Sequence, residues 1–191
     1  MYQCEKSYSK QGGFYMNTCR LDGQQPVSAK AICTAAVLAA LVFVMTFVPR
    51  IPIPLGYAHL GDAVIYLTVL FAGRRESALA ASVGSAAADF IGGFPIWIVP
   101  TLIIKYIMVE IVFWVIRPDI QQWKLLSGRT FLAFFLSSLW MVCSYTAAGA
   151  VLYGSTAAGL TMVPGLVGEG GINMTAAFGA GMLLKGLKFK R

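Results

Sequence analysis

Charge is scarce in this chain. Asp, Glu, Lys and Arg make up 12% of its 191 residues, where soluble domains carry about 25%. That balance excludes an ordinary soluble domain. Histidine occurs once, as His59, so no cluster of histidines can hold a metal. The four cysteines (Cys4, Cys19, Cys33 and Cys143) form no C-x-x-C pair, which removes the usual zinc and redox motifs and any disulfide frame. No G-x-x-x-x-G-K-[ST] is present, so the chain has no P-loop with which to hydrolyse ATP. G-x-S-x-G is missing too, no run of acids suggests a metal-dependent transferase, and no twofold internal repeat is evident. These absences leave no cofactor and no enzyme as the expectation.

Apolar residues account for 58% of the chain. Several runs approach the roughly 20 residues that a bilayer span requires. The expected fold is an all-α integral membrane protein, a compact six-transmembrane-helix bundle over residues 28–191. Residues 1–27 are mixed and polar and read as an unstructured cytoplasmic tail, with Met16 as an alternative start. The spans are predicted at about 28–48, 60–72, 77–91, 96–116, 130–153 and 172–187. A long Gly-rich connector is predicted over 154–171, where its length suggests a lid or binding loop.

Six spans place both ends on one side. Thirteen of the fifteen Lys and Arg residues then fall on the side of the termini, the exceptions being Arg50 and Lys105. Cations stay cytoplasmic, so the termini are predicted inside and the protein is expected in the cell membrane. The surplus of +7 then lies against the anionic inner leaflet, with no need for nucleic acid.

The costly polar residues gather at the other face. Arg50, Tyr57, His59 and Asp62 belong to or border the stiff Pro/Gly segment Arg50–Asp62, in which Pro52 and Pro54 fix the backbone. Asp89 closes the third span. Trp97 opens the fourth and Lys105 lies about two turns inside it, Tyr145 lies in the outer half of the fifth, and Glu169 and Asn173 flank the start of the sixth. Ionisable groups inside a membrane mark functional sites by default. Each has a plainer reading: Asp62 as a helix N-cap, Trp97 in the interfacial aromatic belt, Arg50 snorkelling to headgroups. Lys105 requires a partner: Asp62, Asp89 or a ligand. On the first span, Ala31, Ala35 and Ala39 recur every fourth residue, a small face suited to close helix approach within the chain or by a partner subunit.

Three functions fit these features. One is ligand capture for a transporter. A second is a self-contained secondary transporter or channel with Asp89 and Lys105 as an ion relay. A third is an intramembrane enzyme using His59. The segment His59-Leu60-Gly61-Asp62-Ala63, then Gly84 to Asp89, Gly92-Gly93-Phe94-Pro95, Trp97 and Pro100 to Lys105 resembles the substrate-binding S components of energy-coupling factor (ECF) vitamin importers, riboflavin-transporter type. The resemblance covers about residues 29–188. It implies a six-helix protein that captures a vitamin or precursor (hydroxymethylpyrimidine, pyridoxine or riboflavin class). Its partners would be a transmembrane T component, docked on the Ala31/Ala35/Ala39 face, and two cytoplasmic ATPases.

Overall fold

The computed structural model describes residues 2–8, 15–21, 28–116 and 127–184. It divides into two units, Met1–Lys30 and Ala31–Arg191. In the first, β1 (Tyr2–Tyr8) and β2 (Tyr15–Leu21) pair antiparallel, Tyr2 opposite Leu21 and Tyr8 opposite Tyr15. The sequence reading of an unstructured tail is therefore corrected. These two segments carry Tyr, Thr and Cys among their polar residues, and β-formers of that kind support a ladder despite low hydrophobicity.

The second unit is the helical bundle: α1 (Ala29–Phe47, entering from the first unit), α2 (Gly61–Phe71), α3 (Arg74–Ile91), α4 (Ile98–Ile116), α5 (Gly128–Leu152) and α6 (Thr156–Leu184). Of these, α1, α4 with its preceding 3-10 turn (Pro95–Trp97), and α5 are long and apolar enough to cross a membrane. Helix α3 packs on α4, α4 on α5 and α5 on α6, while α2 reaches α3, α4 and α6. Large apolar side chains face outward on every long helix, among them Val37, Val83, Val99, Phe131 and Leu160. That outer surface suits lipid.

Small residues set how closely the helices approach. The buried face of α3 is Ser77, Ala78, Ala80, Ala81, Gly84, Ser85 and Ala88. A Cβ built on Gly84 would lie 3.0 Å from the Val42 side chain of α1. Ala35 and Ala39 continue on α1 into the buried Val42 and Thr46, so the predicted small stripe turns partly inward. Ala31 is likewise half-buried, while Ala36 and Ala40 on the adjoining stripe are exposed. At the middle of the bundle the Tyr66 ring of α2 stacks on Phe134 of α5, centroids 4.4 Å apart, and its hydroxyl meets Ser138 Oγ at 2.7 Å.

The predicted connector over 154–171 is corrected as well. Only Tyr153-Gly154-Ser155 separates α5 from α6, with Gly154 at φ 64°. Three of the glycines that suggested a loop, Gly159, Gly165 and Gly170, are contact points within a helix. A Cβ on Gly159 would meet Ala150 Cβ at 3.0 Å, and one on Gly170 would meet Ser138 Cβ at 3.3 Å. Glycine is common at helix contacts in membranes because it lets backbones approach, and Pro164 is tolerated there for related reasons. Helix α3 also starts earlier than predicted. Arg74 thus lies in its first turn and pairs with Glu110 of α4. Most of the predicted connector at 120–129 and the C-terminal Lys/Arg cluster lie outside the described residues.

Between α1 and α2 the chain forms a hairpin, β3 (Ile51–Ile53) with β4 (Gly56–Ala58). Pro52 stands opposite Tyr57. The Pro54-Leu55 turn places Leu55 at φ 63°, where a side chain costs about 1–2 kcal/mol. The positive φ expected of a glycine here is thus carried by a leucine, and Leu55 packs against the core.

Replacing Gly84 by Ala is expected to force α1 and α3 apart and destabilise the bundle by about 1–3 kcal/mol, as overpacking does. A lower thermal midpoint in detergent checks this; an unchanged midpoint would mean α1 is not seated there.

Candidate functional site: a cleft under the β3–β4 hairpin

The site begins at the first turn of α2. Leu60 is the N-cap and makes no side-chain cap bond, so Asp62 is not the cap. Instead, Asp62 Oδ1 receives the Lys105 ammonium from α4, both side chains being essentially sealed from solvent. Of the two carboxylates considered for Lys105, Asp62 and Asp89, the structure pairs it with Asp62. The ammonium also lies 5.3 Å from the Tyr145 ring centroid. An ion pair this deep is retained because either charge alone would be far costlier.

Asn173 of α6 fastens the same turn from the other side. Its Oδ1 accepts from Ala63 N at 2.8 Å, and its Nδ2 donates to His59 O at 2.7 Å and to Glu169 O at 2.9 Å. The amide's donors are thus used within the chain, and Asn173 acts here as a positioning residue.

Asp89 anchors the second part of the site. Tyr57 Oη donates to its Oδ1 at 2.7 Å, and Thr101 Oγ1 donates to its Oδ2 at 2.6 Å. Tyr145 Oη in turn donates to Thr101 at 3.0 Å. The network links the hairpin, α3, α4 and α5. Burial and the neighbouring Asp89 carboxylate push the Tyr57 phenol well above its ordinary value. Arg50 donates to Ala88 O at 3.1 Å, and its guanidinium lies 4.2 Å from the Phe47 ring centroid and 4.4 Å from that of Tyr57. It clamps the hairpin to the end of α3.

Between these parts lies a cleft of about 40 Å³. Its aromatic wall is Tyr57, Phe94, Trp97 and Tyr145. Its polar lining is His59, Asp89, Thr101 and Glu169, and Ile53, Gly56, Met162 and Leu166 complete it. Trp97 and Tyr145 meet at 5.7 Å between centroids, tilted by 45°. Six sequence-predicted residues therefore line the cleft: Tyr57, His59, Asp89, Trp97, Tyr145 and Glu169. Arg50, Asp62, Lys105 and Asn173 sit behind its walls. Sequence reasoning missed Phe94, Thr101, Met162 and Leu166 as lining residues. Met162, Leu166, Glu169 and Asn173 follow helical spacing, a signal hidden by reading 154–171 as a loop.

His59 Nδ1 accepts from Gly61 N at 3.1 Å and faces Glu169 Oε1, also at 3.1 Å. Burial, and then the Lys105 charge, lower the His59 pKa to about 4. The imidazole is neutral at pH 7, and its contact with Glu169 is not a salt bridge. His59, Asp62 and Glu169 each bring one ligand-type atom within 4.8 Å of the others. The sequence had offered no such group, since the three residues are far apart along the chain.

Fold and site together define a membrane-embedded helical protein with a small, aromatic-walled cleft. The sequence model of the family "ECF-type riboflavin transporter, S component" matches residues 26–188, and the chain belongs to that family. S components are the substrate-binding parts of ECF transporters. A protein of Pyrococcus woesei, described as an uncharacterized protein in gap 3'region, is 38% identical over 115 residues, 59% of this chain and 74% of that one. Among solved structures, one reported under "Structure and mechanism of the S component of a bacterial ECF transporter" superposes with a TM-score of 0.65. It covers 84% of this chain and 98% of that chain at 15% identity, a likeness of fold.

Two outcomes are expected. Lys105→Ala leaves Asp62 buried and unpaired and should cost about 3–5 kcal/mol; the Asp62→Ala/Lys105→Ala double variant should cost less than the two single changes together, read from detergent melts. Because the unfolded imidazole binds a proton near pH 6.5 and the folded one only near pH 4, His59 should make stability rise with pH between these values. Melts across that range should show a more positive slope of stability with pH in the wild type than in His59→Gln.

Proposed function

We propose that this chain captures a small heteroaromatic vitamin or vitamin precursor at the external face of the cell membrane. A T component and two cytoplasmic ATPases then drive its inward delivery. Membership of the S-component family supports the overall role. The observation that carries the ligand class is the cleft itself, a tilted pair of rings (Trp97 and Tyr145) facing polar groups from three helices and a hairpin. Aromatic walls stack on a heteroaromatic ring, and convergent polar groups fix its orientation.

At about 40 Å³ the cleft has room for only a few waters. A ring enters when the β3–β4 hairpin lifts, which breaks the Tyr57–Asp89 bond and the Arg50 clamp. The distribution of Lys and Arg supports placing both termini in the cytoplasm and the hairpin outside. The small residues of α1, Ala31, Ala35 and Ala39, with their exposed neighbours Ala36 and Ala40, are the proposed docking face for the T component. Asp62, Lys105, Arg50 and Asn173 support the site from behind.

Small molecules carried through purification, identified by mass spectrometry, and titrations across a vitamin panel test the reading. Trp97→Ala is expected to weaken the bound vitamin by about tenfold or more, equivalent to about 1.4 kcal/mol. Uptake into proteoliposomes should require the partner subunits and ATP. A panel without a binder, or uptake by the chain alone, overturns the proposal.

A further inference from the structure

Two buried carboxylate oxygens in and behind the wall of the cleft have no hydrogen-bond partner. The Glu169 side chain is 3% exposed, and its Oε1 has no hydrogen-bond partner. The atom facing it, His59 Nδ1, already accepts from Gly61 N and, on a neutral ring, has no proton to give. Behind them Asp62 Oδ2 is also unpartnered, its carboxylate meeting Lys105 through Oδ1 alone. Such acceptors call for a donor, supplied by a proton on Glu169 in the empty cleft and by a ligand N–H in the filled one, and buried polar groups are rarely left unpaired. The opposite imbalance occurs on the aromatic wall, where the buried Trp97 Nε1–H has no acceptor.

Resting on the reading of the cleft as a vitamin site, we infer that its ligand is an amino-substituted nitrogen heterocycle, whose N–H donates to Glu169 Oε1 and whose ring acceptor takes the Trp97 Nε1–H. A neutral ring carrying only acceptors would answer Trp97 and leave Glu169 unpaired. A divalent cation answers the acceptors less well. It would share the Asp62 carboxylate with the Lys105 ammonium, compete with Gly61 N for His59 Nδ1, and leave Trp97 unsatisfied. The aromatic wall, idle around a metal ion, stacks on the heterocycle.

The test uses the full chain in detergent and isothermal titration. The probes are 4-amino-5-hydroxymethyl-2-methylpyrimidine and its isostere with methyl in place of the amino group. The isostere should bind at least about 100-fold more weakly, since a site built to pair a donor rejects an analogue lacking it. In Glu169→Leu that difference should vanish. Glu169→Gln, which keeps one acceptor and the side-chain volume, should reduce it at least tenfold and decides the matter if the leucine variant does not fold. A purely structural Glu169 would weaken both probes alike. Equal binding of the two probes by the wild type, a difference that survives in Glu169→Gln, or no binding of either probe overturns the inference. Saturable Zn2+ or Mn2+ binding lost in Glu169→Gln would also overturn it, in favour of a metal site. A donor-free vitamin found in the panel would sink this inference and leave the capture function standing, whereas a panel without any binder would remove both.

Discussion

The first turn of α2 is held from two sides, and the cleft exists because of it. Lys105 of α4 grips Asp62, while Asn173 of α6 grips the Ala63 amide and the His59 carbonyl. Without the first, a carboxylate would be stranded in a low-dielectric core. Without the second, the connector carrying His59 would lose its seat on α6. Together they fix the floor over which the hairpin closes. The Asp89 network then fixes the roof, since Tyr57 reaches it from the hairpin and Thr101 from α4.

Around this polar node the bundle follows the rules of a protein with oil on its outside. Size governs helix contact more than hydrophobicity does. The face of α3 that meets α1 and α4 is built of Ala, Ser and Gly, while Val83 and Phe90 look outward. Glycine serves a similar end on α6. Polar atoms within the bundle find partners across helices, as Ser137 does with the Met108 carbonyl at 3.1 Å and Trp140 Nε1 with the Ile104 carbonyl at 3.3 Å. Among the exceptions, Glu169 Oε1 and Trp97 Nε1 belong to residues lining the cleft, while Thr46 Oγ1, Arg50 Nε, Asp62 Oδ2 and Ser85 Oγ lie outside its lining. Unmet hydrogen-bonding capacity is tolerable in a site that a ligand completes.

Much of this was legible in the sequence. Apolar run lengths gave the membrane bundle, and intramembrane charges together with the Pro/Gly segment pointed to the site. Asp89, Trp97, Tyr57 and Glu169, which line the cleft, were singled out because polar and aromatic groups are costly or conspicuous in so oily a chain. The start of α6 was not legible, because glycine and proline break helices in water but are tolerated where neighbouring helices press close. Misreading Thr156–Gly171 as a loop hid the stripe of Met162, Leu166 and Glu169. The N-terminal hairpin was missed because its ladder is built on a polar sequence without a hydrophobic run. Roles within the site were harder still. That Asn173 spends its amide on the backbone, and that Lys105 chooses Asp62 over Asp89, are facts of three-dimensional distance.

The brevity of α2 bears on depth. Its 11 residues rise about 16 Å, roughly half of a 30 Å hydrocarbon slab. One end is tethered by the exposed pair Arg74 and Arg75, which belong at a headgroup surface. With that pair at the surface, Asp62 at the other end would fall close to the midplane, and Lys105, eleven residues from the end of α4, meets it at the same level. Under the proposed capture role, a molecule resting on Glu169 would lie about halfway through the barrier. The Asp62–Lys105 pair and the stacked rings of Tyr66 and Phe134 would then be the layer between it and the other half.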